Sequence, residues 1–339
     1  MKKKYFTIAL AILCLIFTSC DSNDDFISTD PDVDPANFEL NGVLESDRIL
    51  DPSQPYSLTG SYIVKAGATL TIPAGTQIIS QVASNNYIAI EKGANIDIQG
   101  TQSLPVIMRS SAGNQGDWGG LVLLGDALTT EGVDATAEVG GFVYGGTNAS
   151  DSSGNIDYLI IKNAGAQINA DSQYNGLTLY AVGSGTSIDN VALLDGADDG
   201  VEFFGGSVSI TNLYAENNQD DSVDWTEGWN GTLTNTYVVH NNEGFSTAIE
   251  ADGDNNNPTI TNFTAVSTVG GTALQFKKLS GATMTNVLLM GYDTNVDMKD
   301  QGPIENVIVD TTPMSDPSDD VFNGTAVDIS GWAWIASGL

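Results

Sequence analysis

The sequence predicts an all-β chain: a right-handed parallel β-helix, or solenoid, with polar insertion loops and an aromatic C-terminal cap. Three observations carry this. Asparagine returns at Asn190, Asn212, Asn235, Asn262, Asn286 and Asn306, at spacings of 22, 23, 27, 24 and 20 residues. A period in the twenties marks a stacked repeat. Each asparagine sits in one strand-like phrase, such as Ser187-Ile188-Asp189-Asn190-Val191, Ser209-Ile210-Thr211-Asn212-Leu213 or Thr259-Ile260-Thr261-Asn262-Phe263. Apolar and polar residues alternate through these phrases, and helical periodicity is almost absent. Each repeat then forms one coil, stacked ~4.8 Å from the next. The six asparagines are expected in one column, their amides hydrogen-bonding from coil to coil.

The N-terminal elements read as an address. Lys2, Lys3 and Lys4 precede an apolar run from Tyr5 to Phe17, followed by Thr18-Ser19-Cys20. A basic start, a short apolar stretch and small residues before the cut describe a secretory leader. The run is short for a membrane-spanning helix. Residues 1–19 are therefore expected to be a lipoprotein signal peptide, with Cys20 the acylated first residue of the mature chain. The Thr-Ser-Cys ending resembles a bacterial lipobox, with Phe17 where leucine is usual. Several acyl chains anchor a protein stably, whereas one is marginal. Cys14 falls within the leader, so no disulfide is expected. Residues 20–39 read as an acidic tether, opening on Asp21-Ser22-Asn23-Asp24-Asp25-Phe26 and punctuated by Pro31 and Pro35.

Composition narrows the partners. The chain carries 43 acidic against 11 basic residues, a net of −32. Such a surface repels nucleic acid and anionic lipid and favours cations. The 37 glycines suit tight turns.

Residues 40–339 read as the β-helix domain. Gly67-Ala68-Thr69-Leu70-Thr71-Ile72-Pro73-Ala74-Gly75 is the first clear coil phrase, with Leu70, Ile72 and Ile78 directed inward and Pro73 and Gly75 at a corner. It returns as Gly93-Ala94-Asn95-Ile96-Asp97-Ile98. Pro105 to Met108 and Trp118 to Leu123 extend the stack. Residues 129–153 are Gly-rich and off the rhythm, an expected insertion loop with a hairpin at Gly140–Gly146. Regular coils resume at Asn155 and run to about Val309. An exposed strand edge at the end of the stack invites pairing with other chains, so the tail from Asp310, with Trp332 and Trp334, is expected to cap it.

The sharpest chemical candidate comes from register. Asp198 and Asp199 lie 8 and 9 residues after Asn190, and Asp220 and Asp221 lie at the same offsets from Asn212. Glu202 and Asp224 each lie 12 after their asparagines, and Glu243 lies 8 after Asn235. Carboxylates so stacked raise one another's pKa values unless neutralised. Ca²⁺, which takes six to eight oxygen ligands, is one answer. A solvated acidic rim and a pair of catalytic carboxyls are the others. Tyr214, Trp225 and Trp229 are candidates for stacking on sugar rings. His240, in a Tyr-Val-Val-His strand, is expected to be structural. Lys277 and Lys278 are the paired bases, with Arg48 and Arg109 in distant coils. Asp252-Gly253-Asp254-Asn255-Asn256-Asn257 begins like an EF-hand loop but lacks its glycine and its bidentate glutamate, and is expected to be a polar loop.

Several phrases together resemble a group of Bacteroidota lipoproteins: Gly116-Asp117-Trp118-Gly119-Gly120, Tyr144-Gly145-Gly146, Val182-Gly183-Ser184-Gly185-Thr186 and Asp198-Asp199-Gly200-Val201-Glu202-Phe203-Phe204-Gly205-Gly206. The acidic stretch after Cys20 resembles the surface-export signal of such lipoproteins. The resemblance implies a β-helix anchored in outer-membrane lipid through Cys20 and facing outward, without implying a chemistry. Three classes follow: a non-catalytic binder of a glycan or surface protein, a polysaccharide lyase or glycoside hydrolase, and a structural subunit of an outer-membrane assembly. The first leads because no convincing base accompanies the carboxylates. The Arg-Ile-Lys and Gly-His-Gly phrases of polygalacturonases are absent.

Overall fold

The structure is a computed structural model that describes residues 37–339 other than Asp171, Asn256 and Asn257. The expected leader, Cys20 and most of the tether lie outside the described residues, as does the end of the Asp252–Asn257 loop. Among the described residues no helix is long and apolar enough to cross a membrane.

The chain is a parallel β-helix whose first strand is Glu39–Leu44. From residue 154 onward each coil alternates one long strand with one short one. The long strands Gly154–Lys162, Ser187–Leu194, Ser209–Glu216, Thr232–His240, Thr259–Ser267 and Ala282–Met290 pair in parallel, each with the next. The short strands Leu177–Tyr180, Val201–Phe204, Val223–Thr226, Ile249–Ala251, Thr272–Phe276 and Thr294–Met298 do the same.

Each long strand is two faces joined at a one-residue corner. The first half of Gly154–Lys162 continues Asn95–Gln99, and its second half continues Val106–Ser110. In that earlier coil a loop from Gly100 to Pro105 makes the bend. In later coils a single residue makes it: Tyr158, Asn190, Asn212, Asn235, Asn262 and Asn286 all have φ between 49° and 60°. Left-handed backbone costs an ordinary L-residue about 1–2 kcal/mol, and asparagine tolerates it best after glycine. The asparagine period is therefore the period of this corner. Hydrogen bonding adds to it. Nδ2 of Asn212, Asn235, Asn262 and Asn286 each donates to Oδ1 of the preceding asparagine at 2.8–3.0 Å, and Asn190 donates to Asp157.

Asn306 does not join this column. Ala282 pairs with Val307 and Met284 with Val309, so Thr311 (φ 71°) faces Asn286. Asn306 falls opposite Gly281 and donates instead to Leu279 O at 2.8 Å. Its phrase lies in a 3-10 turn, Ile304–Asn306, so the strand begins only afterwards. Replacing Asn235 by glycine should keep the corner and lose one rung, whereas alanine loses the rung and strains the backbone. Urea unfolding should find Asn235→Ala less stable than Asn235→Gly by roughly 1 kcal/mol.

The core is one continuous column of inward residues, Ile188, Ile210, Leu233, Ile260 and Met284 along one face and Phe203, Trp225 and Phe276 along the third. Leu70, Ile72 and Ile78 point inward as expected. Trp118 lies in the same core, its indole N–H donating to Lys162 O at 2.9 Å. At the following corner Gly120 has φ 75°, and a Cβ there would stand 2.1 Å from Asn175 O. Only glycine fits.

The insertion folds back against the coils. Its hairpin pairs Ala135–Thr136 with Val143–Tyr144, so it starts earlier than the Gly140–Gly146 phrase, whose first glycines form the turn. Tyr144 OH donates to both Glu227 oxygens at 2.9 Å, and Lys92 ion-pairs with Asp134 at 2.6 Å. Ala137, Val139 and Tyr144 complete a second apolar cluster with Tyr87, Tyr174 and Tyr180.

The tail meets the last coil through Thr312–Pro313, antiparallel to Val307–Val309, with Met314 and Phe322 in the core. The two tryptophans travel further. Trp334 is buried on the flank of earlier coils against Ile160, Ala192, Leu194 and Tyr214, edge-on to Tyr158 at 5.6 Å.

Candidate functional site

The short-strand face carries an acidic residue in three consecutive coils, between Thr178 in the coil before and Gln275 in the coil after. Each short strand reads apolar–polar–apolar: Val201-Glu202-Phe203, Val223-Asp224-Trp225, Ile249-Glu250-Ala251. Parallel register sets Glu202 beside Asp224 and Asp224 beside Glu250. The residues on either side point into the core, so the acids must point out. The loops entering the first two of these strands supply Asp198, Asp199, Asp220 and Asp221.

These residues form two overlapping oxygen clusters. One carboxylate oxygen each from Asp198, Asp199 and Asp220 lies within 4.8 Å of the others, and the same holds for Asp199, Glu202 and Asp224. Asp199, shared by both, is 6 % exposed. The clusters line an open cavity of about 310 Å³, together with Glu138 from the insertion and Gln173. All-carboxylate donors at this spacing suit a hard cation.

Five of the six expected ligands line this cavity; Asp221 does not. Its carboxylate accepts from the Thr247 hydroxyl at 2.5 Å, and its backbone N–H donates to Asp199 Oδ1 at 2.9 Å. Asp221 therefore holds Asp199 in place from behind. Asn175 Nδ2 does the same for Glu202, donating at 2.7 Å. Asp224 Oδ1 is sealed from solvent and has no hydrogen-bond partner. An orphan buried oxygen of this kind is costly and calls for a partner.

Electrostatics agree with that need. Burial first, then Asp220, pushes Asp198 up to about 7. Asp199 is raised by burial and then by Glu202 and Asp224; Asp224 is raised by burial and then by Glu202 and Asp221. Glu202 and Asp221 are raised mainly by burial as well. Without a counterion this cluster disfavours its own charge.

Among the described residues no free base stands beside it. Burial pulls Lys277 down, but its ion pair with Glu250, aided by Asp224 and Asp221, leaves it raised overall. Lys277 is thus a protonated cation. Lys278 pairs with Asp252 at 3.0 Å. His240 is fully buried, within hydrogen-bond reach of Ser222 at 3.1 Å and Tyr292 at 2.8 Å and stacked on Phe245 at 3.7 Å, with burial lowering it to about 4. It is a core residue, as its strand phrase suggested.

The sugar-stacking expectation for three aromatics is corrected. Trp225 and Trp229 are 0 % exposed and Tyr214 is 7 % exposed. Trp225 occupies the inward position of its strand, Trp229 stacks on Phe203 at 4.0 Å, and the tail covers Tyr214. Alternation along Val223–Thr226 places tryptophan inside because Asp224 must face out.

Glu243, expected beside the aspartates, lies exposed in the loop before Ile249–Ala251; Thr247 bridges to Asp221, so Ser246 stands opposite Asp220, while Glu250 continues the Glu202–Asp224 row. Offsets counted from asparagine fail there because the loop is longer in that coil. The apolar–acid–apolar phrase would have located Glu250 directly. Glu138 had no comparable signal, since it comes from the insertion.

The described residues thus form a parallel β-helix with an open acidic cavity on its short-strand face. The chain matches the family described as pectate-lyase like beta helix domain over residues 42–324, and it belongs to that family. No curated protein and no solved structure matches it.

Proposed function

We propose that this chain is a non-catalytic glycan-binding β-helix that uses a bound Ca²⁺ as part of its recognition surface, held to the outside of an outer membrane by acylated Cys20. The observation that carries the binding role is the pair of carboxylate clusters sharing Asp199, with the orphan Asp224 oxygen between neighbouring coils. Asp198, Asp199, Glu202, Asp220 and Asp224 would hold the ion. Five acidic groups repel an anionic sugar unless a cation bridges them. The cavity's open side leaves coordination positions for hydroxyl or carboxylate oxygens of a glycan. A lyase would need a neutral base next to the sugar, and the nearby lysine is held protonated by Glu250. Membership in a pectate-lyase like family supports an acidic polysaccharide as the ligand class.

Titration calorimetry with Ca²⁺, then with oligogalacturonides in Ca²⁺ and in chelator, tests the reading. Heat from Ca²⁺ and glycan binding only in its presence are expected, with no unsaturated or shortened product. Turnover would transfer the protein to the enzymes, and silence towards Ca²⁺ would remove the cation from the mechanism. Anchoring has its own check. Cys20→Ala should move the protein out of the membrane fraction or leave its leader uncleaved, seen as a larger protein; unchanged fractionation of a normally cleaved protein sinks the lipid anchor.

A further inference from the structure

The tail does more than close the last coil. Thr325 behaves as the next rung of the asparagine ladder: its N–H donates to Asn286 Oδ1 at 2.7 Å, and its carbonyl accepts from Asn286 Nδ2 at 3.1 Å. Val327 N–H then donates to the Thr264 hydroxyl at 2.9 Å. Further on the tail is pinned again, by Gln102 on Gly331 O at 2.8 Å and by the buried Trp334. Between these pins lies a cavity of about 320 Å³ over the ladder, lined among others by Asn235, Asn262, Asp328 and Trp332.

We propose that this cavity is a second glycan subsite, cation-independent, that takes one neutral sugar unit against Trp332 and the amides of Asn235 and Asn262. A carboxamide has two N–H donors and two acceptor lone pairs. The ladder takes one N–H and one lone pair from each of these two asparagines. Each keeps one donor and one acceptor in hand, repeated at the coil spacing. Neighbouring sugar hydroxyls ask for this alternation, since each both donates and accepts.

The aromatic wall has the other half of sugar recognition. Of the five tryptophans, Trp118, Trp225, Trp229 and Trp334 are buried at 2 % exposure or less, whereas Trp332 is half-buried. Among the described residues Trp332 joins no ring–ring pair; it packs against the apolar cluster around Trp334 and also lines the cavity. The apolar C–H face of a pyranose packs on such a ring while its hydroxyls reach the polar row. The cavity volume lies at the small end of the range for ligand pockets, which fits a single ring. Asp328 is the charged side chain on the lining; it can accept from a hydroxyl and repels a carboxylate, which selects neutral over acidic sugars. The site lies at the corner of the long strands, whereas the acidic cavity is on the short-strand face, so the two are independent in position and in their need for a cation.

The test uses the full chain in chelator, which silences the acidic cavity. The probes are methyl glycosides of glucose, galactose, mannose and N-acetylglucosamine, with galacturonate as the anionic control, followed by saturation-transfer NMR and by the emission of Trp332, the tryptophan open to solvent. At least one neutral glycoside should bind and galacturonate should not. Trp332→Ala should weaken binding about tenfold, the loss of one stacked aromatic face. Trp332→Phe should retain part of it, which reads the same contact if the alanine variant does not fold. Asp199→Asn should leave it unchanged. Absence of binding by all four neutral glycosides, equal binding by Trp332→Ala, or loss of binding in chelator would overturn the proposal. The last outcome would assign the sugar to the cation cavity, whereas failure of Ca²⁺ to bind leaves this subsite standing.

Discussion

Asp199→Asn is expected to raise the melting temperature in chelator and to lower it, relative to the parent chain, in millimolar Ca²⁺. Both signs follow from the same geometry. In the folded protein Asp199 is raised by burial and by Glu202 and Asp224. A carboxyl raised on folding is protonated more readily in the folded state than in the unfolded one. Its contribution is fully present below the unfolded value and is lost as pH rises through the folded one. For Asp198 that window runs from 3.8 to about 7. In chelator the protein should therefore lose stability from about pH 4 to beyond neutrality, and asparagine at 199 removes one source of the loss while its carbonyl still accepts from Asp221 N–H. With Ca²⁺ the balance inverts. An ion that binds only the folded state stabilises it by roughly 2.7 kcal/mol at a hundred times its Kd, about 4 °C in a chain of this size. It binds better as the carboxylates ionise, so Ca²⁺ should flatten or reverse the pH trend. Asparagine is a poorer ligand and forfeits that gain. Melting curves of both proteins from pH 5 to 8, with and without Ca²⁺, decide it: a variant less stable in chelator, or a Ca²⁺ shift surviving Asp199→Asn plus Asp224→Asn, would refute the shared-ligand arrangement.

Trp334→Ala should cost about 3–5 kcal/mol, the usual range for deleting a buried tryptophan. Its indole fills the space between Tyr158, Ile160, Leu194 and Tyr214, on coils far upstream in sequence. Removing it leaves a cavity and frees the tail, uncovering apolar residues that would otherwise meet solvent or another chain. Denaturant unfolding gives the loss, and light scattering reports whether the uncovered flank associates. Trp332→Ala, by contrast, removes a half-buried ring and should cost far less. Equal losses in the two variants would mean that the tail is held elsewhere.

Much of the architecture was legible because a solenoid writes its geometry in columns. The asparagine phrase located five rungs of one hydrogen-bonded column, and strict alternation put Leu70, Ile72 and Ile78 inside. The sixth asparagine misled because a sequence match does not count residues in space: a 3-10 turn shifts the last coil, and Thr311 takes the corner. The same limit applied to Glu243, where a longer loop broke the offset, so that Ser246 stands opposite Asp220. The three aromatics proposed for sugar stacking went inside because side-chain direction along a strand depends on which neighbour must face water.

The sequence alone determined the parallel β-helix, its column of asparagines and the crowding of acids on consecutive coils, because each is a local pattern repeated at one period. Only the tertiary structure decided that Asp199 is shared by two clusters, that Asp221 turns away to Thr247, and that the insertion brings Glu138 to the same cavity. It alone returned Trp334 to the flank of distant coils and arched the tail over the ladder. Those contacts join residues outside the repeat, and no period encodes the path of a segment that leaves the stack and packs back where apolar surface is available to be buried.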